Sequence, residues 1–332
     1  MRYLTITEEG TFLGLSGSLL QVKHNKKIIS ELPLSRLRLV AVARRGVTLS
    51  SSLVLACALR GIRIFFLDWR GRAVAMLGGS HQHATVAVRQ NQFRFTETGP
   101  VPALAATIII GKLRNQRSVL LYFSKYLSKS SNSESEELKK AARQILIHIN
   151  RLKSVDWCRH SSWRSEIMGI EGASATLYWK SISLARLFPP SFTGRQGRNA
   201  SEITNQMLNY GYTLLTSLVW SALDNTGLEP FSGILHQNRP GRPSLVLDLM
   251  EIFRPWVVDR NVIKLRKKAE KASQLDHSLK RLLAAAIHET VEKKLPWRNK
   301  RLRLDTIIQR QAYQLSGAIA GGKNFKPYSF KW

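Results

Sequence analysis

The sequence predicts an α+β protein of two domains: a small N-terminal β-sheet domain, then a larger all-α domain carrying the active site. Three observations carry that expectation. The first 80 residues are rich in short β-forming runs broken by Gly and basic turns, helical periodicity dominates from about Val101, and Gly78-Gly79 marks the change between them. At 332 residues, with 44% hydrophobic and 22% charged side chains, the chain is long enough for substantial cores and is not disordered.

The β domain is read as residues 1–80. Tyr3 to Thr7 is a short strand, Glu9-Gly10 a turn, and Thr11–Leu15 the strand after it. Ser18–Val22, the basic turn Lys23–Lys27 and Lys27–Leu32 follow. Leu37–Val42 is almost wholly apolar and branched, and Arg45-Gly46 punctuates it. From Ser50 to Arg60 the pattern SSSLVLACALR turns helical, with Ser at the N-cap and Gly61 as the stop. Ile62–Leu67 is another buried strand, followed by a turn at Trp69–Arg72 and a strand at Ala73–Leu77. Residues 81–100 read as a linker broken by Gly99 and Pro100. In 101–332 the periodicity predicts helices over Ala103–Lys129, Ser135–Lys153, Ser161–Lys180, Ser201–Asn225, Ser244–Arg266, Leu275–Lys294 and Arg303–Ala320. The loop FPPSFTGRQGRN between the third and fourth is glycine-rich and basic.

The chain holds 51 Lys+Arg against 22 Asp+Glu, a net charge of +29. The excess is even, +9 over residues 1–90, +10 over 91–200 and +10 over 201–332, so no detachable basic tail explains it. Self-repulsion on this scale is best offset by a polyanion, and nucleic acid leads because neutralised phosphates release counterions. Residues 260–303 hold 14 basic and 4 acidic side chains, a density suited to tracking a DNA backbone. Cys57 and Cys158 are too few for a disulfide framework or a zinc ribbon, which suits a reducing cytoplasm. MRYLTITEEGTFLG lacks a signal peptide's apolar core, and runs such as VPALAATIII fall short of the ~20 residues of a membrane span, so no membrane role is expected.

Against this basic background, the segment 233–260, GILHQNRPGRPSLVLDLMEIFRPWVVDR, sets His236, Asp248 and Glu251 close together. On a helix capped by Ser244, Asp248 and Glu251 share a face, a like-charge spacing that costs energy until a cation neutralises it. A metal ion would do so, and so would Arg254; the spacing alone leaves both open. His236 sits on a Pro-rich lead-in to the same helix. Glu171 lies earlier, in the small-residue segment MGIEGASATLYW, where small neighbours let helices approach closely. Three carboxylates and one imidazole suit a hard divalent cation. Arg242 and Arg254 flank these residues and are the first choices for phosphate contacts, followed by Arg195 and Arg198 in the glycine-rich loop.

Three segments in order, GIEGASATLYW, LNYGYTLL and GILHQNRPGRPSLVLDLMEIFRP, closely resemble the CRISPR-associated integrase, the larger subunit of the spacer-acquisition complex. RRGVTLSSSLVLACALRGIRIFFLDWRGRAVAML resembles that family's β domain and IGKLRNQR the start of its helical domain, so the likeness covers nearly the whole chain. The resemblance implies a Mg²⁺ or Mn²⁺ site of Glu171, His236 and Glu251, the last standing where many members have aspartate. Asp248 would lie beside the metal as a further catalytic residue. Tyr178, Asn209 and Tyr210 fall in the matching motifs, where they line the site or simply pack, with Tyr178 a candidate DNA contact. The implied reaction joins the 3′-hydroxyl of a short DNA fragment to a repeat array by in-line transesterification, with hydrolytic cutting when water replaces that hydroxyl. A homodimer, formed through the β domain, is implied, with two such dimers bridging a dimer of a small ferredoxin-like adaptation subunit. Two alternatives stay open: a general metal-dependent nuclease acting on branched or single-stranded DNA in repair, and a non-catalytic basic nucleic-acid-binding protein whose carboxylates form only salt bridges.

Overall fold

The computed structural model describes residues 3–68, 73–79, 85–129, 131–197, 200–270, 272, 274–321 and 324–331, and its sheets precede a mostly helical remainder. The N-terminal elements are β1 (Tyr3–Ile6), β2 (Thr11–Ser16), β3 (Leu19–His24), β4 (Lys27–Pro33), β5 (Leu39–Val42), β6 (Thr48–Leu49), α1 (Ser51–Leu59), β7 (Arg63–Leu67) and β8 (Ala73–Leu77). They form two four-stranded sheets. In one, β1, β5 and β7 run parallel and β8 pairs antiparallel with β7. In the other, β2, β3 and β4 form an antiparallel meander with β6 beside β2. The apolar runs of β5 and β7 have a physical reason: Val40, Val42 and Ile64 face the second sheet and α1, while Leu39, Ala41 and Phe65 face the helices. A strand buried on both faces loses the alternation of a half-exposed one. The expected cap and stop of α1 are both present, with Ser50 accepting from the Leu53 N–H and Gly61 at φ +66°.

The helices are α2 (Thr85–Thr98), α3 (Val101–Leu127), α4 (Asn132–Ser154), α5 (Trp163–Leu184), α6 (Ile203–Asp224), α7 (Ser244–Met250), α8 (Arg260–Lys264), α9 (Arg266–Ala269), α10 (His277–Glu292) and α11 (Leu304–Ile319). Three expectations need correction. Of the expected linker 81–100, residues 81–84 lie outside the described residues and most of the rest is α2. That helix is anchored by a buried polar residue, since the Gln92 side chain bonds the backbone of Glu229 and Ser232. The helical region also holds a hairpin, β9 (Lys294–Trp297) with β10 (Lys300–Arg303), whose turn uses Arg298 at φ 50°. Finally, Ser244–Arg266 is not one helix. Pro255 has no N–H to give, and a π-helical turn over Pro255–Asp259 separates α7 from α8. Ser244 is inside α7 rather than capping it, and its hydroxyl donates to the Gln237 carbonyl. The turn expected at Trp69–Arg72 lies outside the described residues.

Helix α3 is the central element, buried along its length, including at Lys112, Asn115 and Gln116. The segment 324–331 lies along it as a strap. Asn115 donates to the Ile252 and Tyr328 carbonyls (2.7 and 2.8 Å) and accepts from the Phe330 N–H (2.9 Å), while Ser118 donates to the Phe330 carbonyl. Gly111 makes this approach possible, because a Cβ there would overlap the Pro327 ring and press on Ile252. Among the described residues no helix is long and apolar enough to cross a membrane.

Candidate functional site

Three segments converge at Lys112 of α3. Its Nζ lies 2.6 Å from Glu171 Oε1 on α5 and 2.6 Å from Glu251 Oε2, just past α7. The second contact is close in distance but lacks hydrogen-bond geometry, so Glu251 Oε2 is a buried carboxylate oxygen with no hydrogen-bond donor. The other oxygen of Glu251 pairs with Arg254. Burial by itself raises the Glu251 carboxyl, but Arg254, Lys112 and His236 outweigh it and hold the pKa down at about 2. Burial lowers Lys112, and Glu251 and Glu171 reverse the effect, leaving it raised. Glu171 and Glu251 thus face one cation together, although 80 positions separate them.

His236 and Asp248 form the other half of the site. One oxygen of Asp248 accepts from the N–H groups of Ile234 and Leu235 (2.6 and 3.1 Å), and the other from the His236 N–H (3.0 Å). That second oxygen also lies 2.6 Å from His236 Nδ1. The carboxylate, fully buried, is therefore committed to shaping the loop and fixing the imidazole, with Nε2 left over as the free ring nitrogen. Arg164 of α5 binds the same loop through the Leu235 carbonyl. Gly233 is required here, since a Cβ would collide with the His236 carbonyl and the Ser244 side chain.

A cavity of about 860 Å³ opens beside Lys112 and Glu171, lined also by Trp179, Arg195, Tyr212 and Arg254. The Tyr212 ring is flanked by two guanidiniums, Arg195 at 5.1 Å and Arg254 at 4.9 Å. Its hydroxyl donates to Asp259 (2.6 Å), which also accepts from Tyr178 (3.2 Å). Burial pushes the Asp259 carboxyl up to about 6 despite these hydrogen bonds. Tyr178 corrects an expectation: it is fully buried and spends its hydroxyl on Asp259, so it offers DNA no surface. Tyr210 is likewise a buried packing residue, whereas Asn209 accepts from Arg195 and donates to the Gly197 carbonyl, fixing the basic loop. Arg242 lines a separate cavity with Trp220, Phe231 and β8. Arg198 lies outside the described residues. In the basic stretch 260–303, Arg260 is buried against Trp256 and Thr290, while Lys267, Lys268, Arg281, Lys293 and Lys300 are exposed.

The chemistry of the donors fits a divalent cation in kind: two carboxylates bracketing a positive charge and an imidazole oriented by a carboxylate. As they stand, no three His, Cys, Asp or Glu side chains among the described residues are gathered to chelate one ion, and the Lys112 ammonium lies between the glutamates. Lys112, Tyr212 and Asp259 were missed by sequence reasoning. Lys112 carried a weak signal: it directly follows the apolar run VPALAATIIIG, and a lysine buried on that face needs carboxylate partners.

The family described as CRISPR associated protein Cas1 matches residues 4–295. A CRISPR-associated endonuclease Cas1 of Francisella tularensis subsp. novicida is 44% identical over 334 residues, covering all of both chains. Among solved structures, a casposase bound to integration product superposes with TM-score 0.80 at 21% identity, covering 100% of this chain and 95% of that one. A chain of a Cas6-RT-Cas1–Cas2 complex gives TM-score 0.76 at 20% identity, covering 99% of this chain and 36% of that one.

Proposed function

The chain belongs to the family of CRISPR associated protein Cas1, and we propose that it is the metal-dependent integrase and endonuclease of spacer acquisition. In this reading it joins the 3′-hydroxyl ends of short DNA fragments to a repeat array by transesterification. The observation that carries the proposal is the meeting of Glu171 and Glu251 across one cation, next to an imidazole held by Asp248. A structural salt bridge needs no such oriented histidine.

Glu171, Glu251 and His236 Nε2 would hold Mg²⁺ or Mn²⁺. When bound, the ion supplies positive charge to the phosphate oxygens during in-line displacement. The chain does the rest. Asp248 keeps His236 in one tautomer and orientation. Arg195 and Arg254, spaced by the Tyr212 ring, present two guanidiniums to a phosphodiester in the cavity. The exposed lysines of α9 to β10 extend a basic track for the duplex. A homodimer through the β domain and a small ferredoxin-like partner subunit belong to the same proposal, as does residence in the cytoplasm. A similar fold within a Cas6-RT-Cas1–Cas2 complex supports the partner, and a similar casposase bound to an integration product supports joining rather than cutting alone.

The test is a strand-transfer assay on a supercoiled target bearing repeats, with Mn²⁺ and the small partner present. Joined product is expected from the wild type, with a loss of at least about 100-fold in His236→Ala. Cleavage without joined product under every condition would favour a general nuclease. Mn²⁺-dependent cutting untouched in His236→Ala would remove the ligand assignment.

A further inference from the structure

We propose that Lys112 is a resident cation that competes with the divalent metal for the Glu171–Glu251 pair and must withdraw for the metal to bind. The inference rests on the reading of those glutamates as metal ligands and goes beyond it by giving the site a built-in occupant.

The geometry points to competition rather than to a neighbouring salt bridge. Nζ contacts one oxygen of each glutamate at 2.6 Å, so those two oxygens lie at most about 5 Å apart with the ammonium between them. Mg²⁺ holds oxygen ligands at about 2.1 Å, which requires two ligands within about 4 Å of each other. The ammonium therefore fills the space the ion needs, and a small inward movement of the carboxylates on its departure suits the ion. Lysine and metal cannot share that space, because their charges repel at such short range.

The position of Lys112 in the fold fits the same role. Its helix is fixed on both sides of the site: Asn115 ties it to the Ile252 carbonyl, and the Pro327 ring seats on Gly111. The backbone cannot carry the ammonium away, but the four-carbon stem can. The cavity beside it, lined by Gln116, Tyr212 and Asp259, offers Nζ a polar place to go. Without Lys112, Glu171 would lose its ammonium partner and Glu251 would keep only Arg254 in a largely buried setting. Lys112 lets the fold hold both carboxylates close together before any metal arrives.

The experiment compares wild type with Lys112→Met, which keeps the stem and removes the charge. Mn²⁺ affinity is read from the loss of the free-ion electron paramagnetic resonance signal, and melting temperatures are taken in chelator and in saturating Mn²⁺. Lys112→Met is expected to bind Mn²⁺ at least about tenfold more tightly, to melt below wild type in chelator, and to recover most of that difference in Mn²⁺. Equal or weaker Mn²⁺ binding by Lys112→Met, with wild type binding normally, would overturn the competition. A second measurement uses wild type alone and so survives a misfolded variant: amine acetylation followed by mass spectrometry. Labelling of Lys112 is expected to rise several-fold on adding Mn²⁺ while exposed Lys27 of β4 stays constant, and unchanged Lys112 labelling at saturating metal would also overturn the proposal. If neither wild type nor Lys112→Met binds Mn²⁺, the metal reading itself fails and this inference falls with it.

Discussion

The loop around His236 and the cluster around Lys112 lie on either side of one short helix, and they are held by different chemistry. The loop is held by Asp248, whose oxygens accept from three backbone amides and the ring of His236. The cluster is held by Glu251, which meets only side-chain cations, Lys112 and Arg254. Backbone donors cannot leave without unfolding the loop, whereas side-chain cations can swing away. Two acids three residues apart thus divide into one that builds the site and one that remains free to exchange partners.

The strongest way to break that comparison is to remove each carboxylate in turn. Asp248→Ala orphans several buried donors and should cost about 3 kcal/mol or more in urea unfolding, taking activity with it. Glu251→Gln keeps the shape but takes the counter-charge from Lys112 and Arg254, whose side chains can turn toward solvent, so it should cost about 2 kcal/mol, less than Asp248→Ala. Strand transfer should nevertheless fall by at least about 100-fold in this variant. The reverse order of stabilities would show that the roles are exchanged.

A pH series sharpens the contrast between buried groups in the two parts of the fold. Burial raises Asp259 to about 6, against about 3.9 in an unfolded chain. Its contribution to stability is fully present below about pH 4 and is lost as pH rises through 6. His288, packed beside Tyr3 and Thr5 of the β region, is pushed down to about 4 by burial, with Glu292 opposing the shift. Its contribution is present above about pH 6.5 and is lost as pH falls toward 4. Calorimetry from pH 4 to 8 should therefore show wild type losing stability relative to Asp259→Asn as pH rises, and relative to His288→Gln as pH falls.

The smallest effect belongs to the arginine platform. Tyr212→Leu removes the ring between Arg195 and Arg254 while leaving both charges in place. DNA affinity should weaken about three- to tenfold, and the slope of log affinity against log salt should shrink by about 1. An unchanged slope would mean that these guanidiniums do not grip phosphate.

Much of this arrangement was legible in the chain. The strands of the β region and six of the seven expected long helices follow from period and punctuation, because burial on a defined face writes itself into the residue pattern. The seventh, Ser244–Arg266, failed at Pro255, where a missing donor outweighs an otherwise helical pattern. Helix α2 was hidden because its anchor is Gln92, a polar residue that looks exposed until the backbone it binds is known. Glu171, His236 and Glu251 were found as residue types in distinctive segments. Their partners were not, because a cation such as Lys112 or an acceptor such as Asp259 acquires its meaning only from elements packed across it in space.

The strap along α3 has a consequence for how the protein comes into being. Two of the three hydrogen bonds of Asn115 go to residues more than 200 positions further on, so a nascent chain emerging from the ribosome carries the lysine-bearing helix with one flank bare. Such long-range closure comes late in folding. A fragment that stops before residue 324 lacks the Pro327 wedge against Gly111, so the setting of Lys112 one residue further along the helix is completed only when the end of the chain docks.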